Sequence, residues 1–112
     1  MASDEALIEF IVDQMSGAGR MASRKMFGEY AIYCDEKVVA LVCDNQLFVK
    51  PTEKGRAYIG SVVEAPPYPG AKPYFFIEDK FEDREWIAAL IKITAENVPK
   101  AKATTNRIKR SR

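Results

Sequence analysis

The side chains able to do covalent or acid–base chemistry are few, and their spacing does not assemble them. Cys34 and Cys43 are the two thiols, and the chain has no histidine. Without an imidazole the usual general base near neutral pH is missing. A cysteine nucleophile needs nearby positive charge to lower its pKa, and neither cysteine has a basic residue next to it in the sequence. Two sulfurs without an imidazole do not make a zinc set. Asp35, Glu36, Asp44, Asp79, Glu82 and Asp83 are carboxylates at turns and a helix cap, where the ordinary role is solvated and structural. The six glycines are scattered and form no phosphate loop. The expectation is a protein with no catalytic residue, no metal and no cofactor, so not an enzyme.

The basic residues suggest more. Arg24, Lys25, Lys50 and Lys72 fall at strand ends and loops, near Phe27, Tyr68 and Tyr74. Basic groups interleaved with aromatics contact nucleic acid or an acidic partner. The same pattern also arises when aromatics fill a core and cations ring it. Residues 1–99 hold 11 basic and 16 acidic side chains, a net of −5, while residues 100–112 hold six basic ones and no acid. Those six are Lys100, Lys102, Arg107, Lys109, Arg110 and Arg112. Such a tail binds phosphates without reading sequence, or serves only as a solubilising end. It does not by itself make a specific DNA reader, which needs base contacts from a positioned element.

The elements that must position these groups follow from periodicity. Ser3 can cap a helix whose stripe is Leu7, Ile8, Ile11 and Met15, with Phe10 on its flank and Gly17-Ala18-Gly19 closing it. Residues 24–50 alternate in period two. Asp35-Glu36-Lys37 and Asp44-Asn45 interrupt the runs, which makes an antiparallel meander of three or four strands. Strict alternation puts Val39, Leu41 and Cys43 on one face and Val38, Ala40 and Val42 on the other. Gly28 marks a bend. The first turn pairs Cys34 with residues around Lys37 to Val39, too far from Cys43 for a disulfide. Pro51 and Thr52 start a short helix that Gly60 ends. Residues 65–70, APPYPG, are an ordered loop, read as a lid over a sheet edge in preference to a recognition surface. Residues 73–77 are a strand. Asp83 caps a last helix with the stripe Trp86, Ile87, Leu90, Ile91 and Thr94, which stops before Pro99.

The sum is α+β: a two-layer fold with one face of an antiparallel sheet covered by helices, in the order α, three or four strands, α, one or two strands, α. The other face is left to solvent or a partner. Residues 1–99 form the domain and 100–112 a basic tail. The acids at the N-terminus do not suit a signal peptide, and no apolar run reaches the roughly 18 residues of a membrane span, so a cytoplasmic protein is expected.

The stretches RKMFGEYAIYCDEKVVALVCDNQLFVKPTEKGR and EAPPYPGAKPYFFIED resemble the N-terminal domain of the TfoX (Sxy) family of bacterial competence regulators. The likeness covers roughly residues 5–99. It implies an architecture similar to secretion-chaperone-like folds and a link to regulating DNA-uptake genes. Full-length members carry a second, helical domain, so this chain looks like a stand-alone member. The family supplies no catalytic residues to carry over. The expected role is a non-catalytic regulatory or adaptor domain that binds an unknown protein partner, or nucleic acid non-specifically. The candidate contacts are the six tail cations, Arg24, Lys25, Lys50, Lys72 and Tyr68. A homodimer is compatible with the sequence but not indicated by it. The alternative is a small enzyme or ligand-binding domain with a pocket between sheet and helices.

Overall fold

In the computed structural model, residues 4–26 and 29–98 are described. The cap expected at Ser3, the bend expected at Gly28, Phe27 and the basic segment 100–112 lie outside them. Asp4 caps the first helix: its carboxylate accepts from the Ala6 amide at 3.0 Å, satisfying a donor that has no partner within the helix. Helix α1 runs Glu5–Gln14. Ile8 and Ile11, with Met15 just past its end, go into the core at helical spacing. Phe10 remains 45% exposed, its ring edge-on to Phe81.

The meander consists of β1 (Met21–Met26), β2 (Glu29–Cys34), β3 (Lys37–Cys43) and β4 (Gln46–Val49). The hairpins joining β2 to β3 and β3 to β4 each turn on two residues. All four lie in the left-handed region, with φ of 50° at Asp35, 72° at Glu36, 54° at Asp44 and 62° at Asn45. Positive φ at both central positions is the type I′ turn, whose twist matches that of the strands it joins. Asp and Asn tolerate this conformation well, whereas Glu36 adopts it at a cost.

Helix α2 (Glu53–Ile59) starts at Thr52, whose hydroxyl accepts from the Gly55 amide at 2.9 Å, and ends at Gly60 with φ 86°. Strands β5 (Val63–Ala65) and β6 (Tyr74–Ile77) follow. Helix α3 (Arg84–Asn97) opens at Asp83, whose carboxylate accepts from the Trp86 amide at 3.1 Å. The six strands lie in the order β1-β2-β3-β4-β6-β5, every neighbour antiparallel. β6 returns between β4 and β5, which leaves β1 and β5 as the two edges. This is the expected α+β fold, with four strands before α2 and two after it.

The helices share one face of the sheet. Ile11 and Met15, and Ile87, Leu90 and Ile91 of α3, pack on Ile32, Cys34, Val42, Leu47, Val49 and Phe75. Among the described residues these side chains are fully buried between the two layers. Trp86 of the α3 stripe, expected buried or nearly so, is half-buried and packs against the edge of the core. The first turn of α3 lies beside α2, so the indole stacks on Tyr58, with centroids 5.7 Å apart, under the Lys80 ammonium at 5.1 Å. The Tyr58 hydroxyl donates to the Trp86 carbonyl at 3.1 Å.

The facing of β3 also departs from strict alternation. Ile32 pairs with Ala40 but Tyr33 pairs with Val38, so Val39 is an extra residue, a β-bulge. Val39 and Ala40 both go to the helix side, and Val42 follows them. Leu41 and Cys43 are therefore turned to the opposite face. The expected set Val39, Leu41 and Cys43 is split by the bulge, and so is its complement.

Candidate functional site

The cysteines end on opposite faces, since Cys34 joins the helix-side core and Cys43 does not. Cys34 pairs with Lys37, as the turn required. The hairpin thus brings to Cys34 a cation that sequence adjacency did not reveal. That cation does not activate the thiol. Burial first, then the Asp35 carboxylate, push the Cys34 pKa up, and Lys37 only partly offsets them. The Lys37 ammonium is instead spent on the Ala95 carbonyl near the end of α3, at 2.7 Å. Burial and Glu29 likewise push the Cys43 thiol up. Both sulfurs are thiols at neutral pH, not nucleophilic thiolates.

The turn carboxylates have structural partners. Asp35 accepts from the Arg20 amide at 3.0 Å, while its own amide donates to the Arg20 carbonyl at 2.9 Å. This two-way link ties the first hairpin to the segment before β1. A side chain at Gly19 would meet the Asp35 carboxylate at 2.8 Å, so a glycine is required at this close approach. Glu29 accepts from the Asp44 amide at 3.0 Å and braces the second hairpin. Among the described residues no group of three or more Cys, Asp or Glu side chains is placed to hold a metal ion. A groove of about 380 Å³ runs along the surface between α1 and β1, lined by Glu9, Val12, Asp13, Ser16, Gly19, Met21 and Ser23. It is open to solvent rather than set between the layers.

The sheet's other face is where the site-like features gather. Register places Val63, Phe76, Phe48, Leu41, Ala31 and Arg24 in one row across all six strands. At about 4.8 Å per strand the row is roughly 24 Å long. Five of its members are apolar and the sixth is a cation at the edge. Phe48 and Phe76 are tilted against each other with centroids 5.4 Å apart. Phe48 and Ala31 are covered by their neighbours, while Leu41 and Phe76 are half-buried and Val63 is 61% exposed. Tyr33, Val38 and Tyr74 flank the row and are also half-buried. Every described helix packs on the opposite face, so no described helix lies over these side chains.

The candidate contact residues divide accordingly. Arg24 is in register with Ala31 on the uncovered face. Lys25 is in register with Tyr30 on the helix side, so the expected Arg24–Lys25 pair does not act as one patch. Lys50 follows Val49 and continues the register of the uncovered face beside Tyr74. Lys72 and Tyr68 sit in the proline-rich segment joining edge strand β5 to β6. Tyr68 is 56% exposed, and Pro67 is buried. Burial, then Tyr68 and Cys43, raise the Tyr74 pKa, which sets all three groups near one another. Arg24, Lys50 and Lys72 enter no ion pair among the described residues. The other six candidates, in segment 100–112, lie outside the described residues.

Comparison with known proteins assigns the chain. The TfoX N-terminal domain family matches residues 13–98. The chain belongs to that family. It is also 41% identical over 102 residues to an uncharacterized 12.7 kDa protein in the trpE 5′ region of Spirochaeta aurantia, covering 91% of this chain and 89% of that relative. Membership of this TfoX-type family supports a regulatory domain and brings no catalytic residues with it. No described helix is long and apolar enough to cross a membrane.

Proposed function

We propose that this TfoX-type domain is a non-catalytic regulatory module that acts by binding, and that its regulatory output is control of DNA-uptake genes. The observation that carries the reading is the asymmetry of the sheet. One face is closed by helices into a filled core, and the other presents half-buried aromatic and aliphatic side chains with cations at their margin. A surface of this kind is suited to contact rather than turnover. The protonation of both thiols and the structural use of Asp35 and Glu29 support the same conclusion.

The test is genetic and needs no identified partner. Transcripts of the DNA-uptake genes are measured in the native host with the gene intact, deleted, and restored as a Cys34→Ser/Cys43→Ala double variant. Deletion should change those transcripts several-fold, and the thiol-free variant should restore them. Unchanged transcripts would overturn the competence link. Failure of a folded thiol-free variant to restore them would overturn the non-catalytic reading.

A further inference from the structure

The uncovered face is built for a partner of definite chemistry. Its central row is apolar across the sheet, from Val63 through Phe76 and Leu41 to Ala31. On the helix side the same period-two pattern is met by the apolar stripes of α1 and α3. The uncovered face therefore lacks only an amphipathic layer like the one its opposite already has. Charge narrows the occupant. Residues 1–99 are net −5, yet the face carries Arg24 and, at its margin, Lys50, with Lys72 in the segment that leads into β6. The acids of this face are Glu29, engaged with the Asp44 amide, and, by the same one-residue extension that places Lys50, Glu78 past the end of β6; both fall in the row through Cys43 and Gln46, at the strand ends away from Lys50. A polyphosphate would gain only three cations; Tyr33, Phe76 and Tyr74 can stack on bases, but the aliphatic Val63, Leu41 and Val38 that share the face suit an apolar side chain instead.

We propose that this face docks an amphipathic helix of another protein, its apolar stripe on the Phe76–Leu41 row and its flanking carboxylates at Arg24, Lys50 and Lys72. The inference rests on the binding-module reading above and names the partner's chemistry. A helix of about 18 residues is about 27 Å long, enough to cover the face.

The test uses the full chain and three probes. One is a helical peptide of about 18 residues with a leucine stripe flanked by glutamates. The second has lysines in place of the glutamates, and the third is a single-stranded oligothymidylate. Binding is followed by fluorescence anisotropy and mapped by amide chemical shifts. The glutamate peptide should bind at least about tenfold more tightly than the lysine peptide, since complementary charge selects the partner. Its perturbed amides should fall on β3, β4 and β6. Arg24→Glu/Lys50→Glu/Lys72→Glu should lose at least about tenfold, whereas Lys92→Glu on the exposed side of α3 should not. Circular dichroism and unfolding midpoints confirm that the variants are folded. Equal binding of both peptides, no binding, or perturbations confined to α1 and α3 would overturn the proposal. So would tighter binding of the oligonucleotide, or a sedimenting dimer whose interface protects Leu41 and Phe76. Transcripts that respond to deletion while the peptide fails leave the regulatory reading intact and remove only this partner.

Discussion

Leu90 and Leu41 are the same residue type on opposite sides of one sheet, and their truncation should separate the two faces. Leu90 has no exposed surface and lies where Gly55 comes close, its Cδ1 3.5 Å from where a side chain at Gly55 would begin. Leu90→Ala removes three carbons, about 2.4 kcal/mol of transfer free energy at about 0.8 kcal/mol per methylene. A cavity term adds to this, because Gly55 has no side chain to move into the space and Phe75 is itself fully buried. The expected total is about 3 to 4 kcal/mol, within the range for buried leucines that cannot relax. Leu41 is half-buried with no helix over it, so Leu41→Ala should cost about 1 kcal/mol. The assay is urea unfolding followed by tryptophan fluorescence, since the single Trp86 reports on α3. With an m-value of about 1 to 1.5 kcal/mol per molar, Leu90→Ala should lower the midpoint by about 2 to 4 M and leave m unchanged. A loss below about 0.5 kcal/mol for Leu90→Ala would refute the placement of the core. A loss for Leu41→Ala as large as that for Leu90→Ala would refute the bulge and the uncovered face together.

Other expectations follow from single observations. Glu36→Gly should stabilise the protein by about 0.5 kcal/mol in the same assay. Glycine accepts the left-handed turn freely, which outweighs its unfolded-state entropy and an exposed pair worth little, Arg20–Glu36 at 3.3 Å; a net loss would refute that balance. Both thiols should react slowly with a disulfide reagent at neutral pH and rapidly once the chain is unfolded. Because the folded pKa of Cys34, Cys43 and Tyr74 is raised, the unfolded chain loses its protons first as pH rises. Stability should then be full below the unfolded thiol pKa, about 8.5, and decline above it; a midpoint flat from pH 8 to 10.5 would contradict the raised values. Deleting residues 100–112 should abolish any salt-sensitive affinity for duplex DNA, read by anisotropy, and leave the thermal midpoint nearly unchanged. Equal binding by the truncated chain would move that contact to the folded part.

The local decisions were legible because local physics makes them. Asp83 and Thr52 cap helices where their side chains reach amides three residues on, and Gly60 stops α2 by accepting a positive φ. Asp35-Glu36 and Asp44-Asn45 turn the chain because each hairpin closes on its own residues, and the α+β order follows from where the period changes. What the chain alone could not show depends on residues distant in sequence. The bulge at Val39 exists only in the pairing of β2 with β3, and it decides that Leu41 faces away from the helices. Trp86 fits the helical stripe, but its exposure depends on α2 lying beside it. Lys37 reaches the end of α3, and its opposition to Cys34 required the hairpin to close. The row from Val63 to Arg24 draws one residue from each of six strands, spread between positions 24 and 76 of the chain. Periodicity determines which residues of a strand share a face. Which face meets the helices, and which cations border the one left uncovered, is set by strand order and register, because those decide what packs on what.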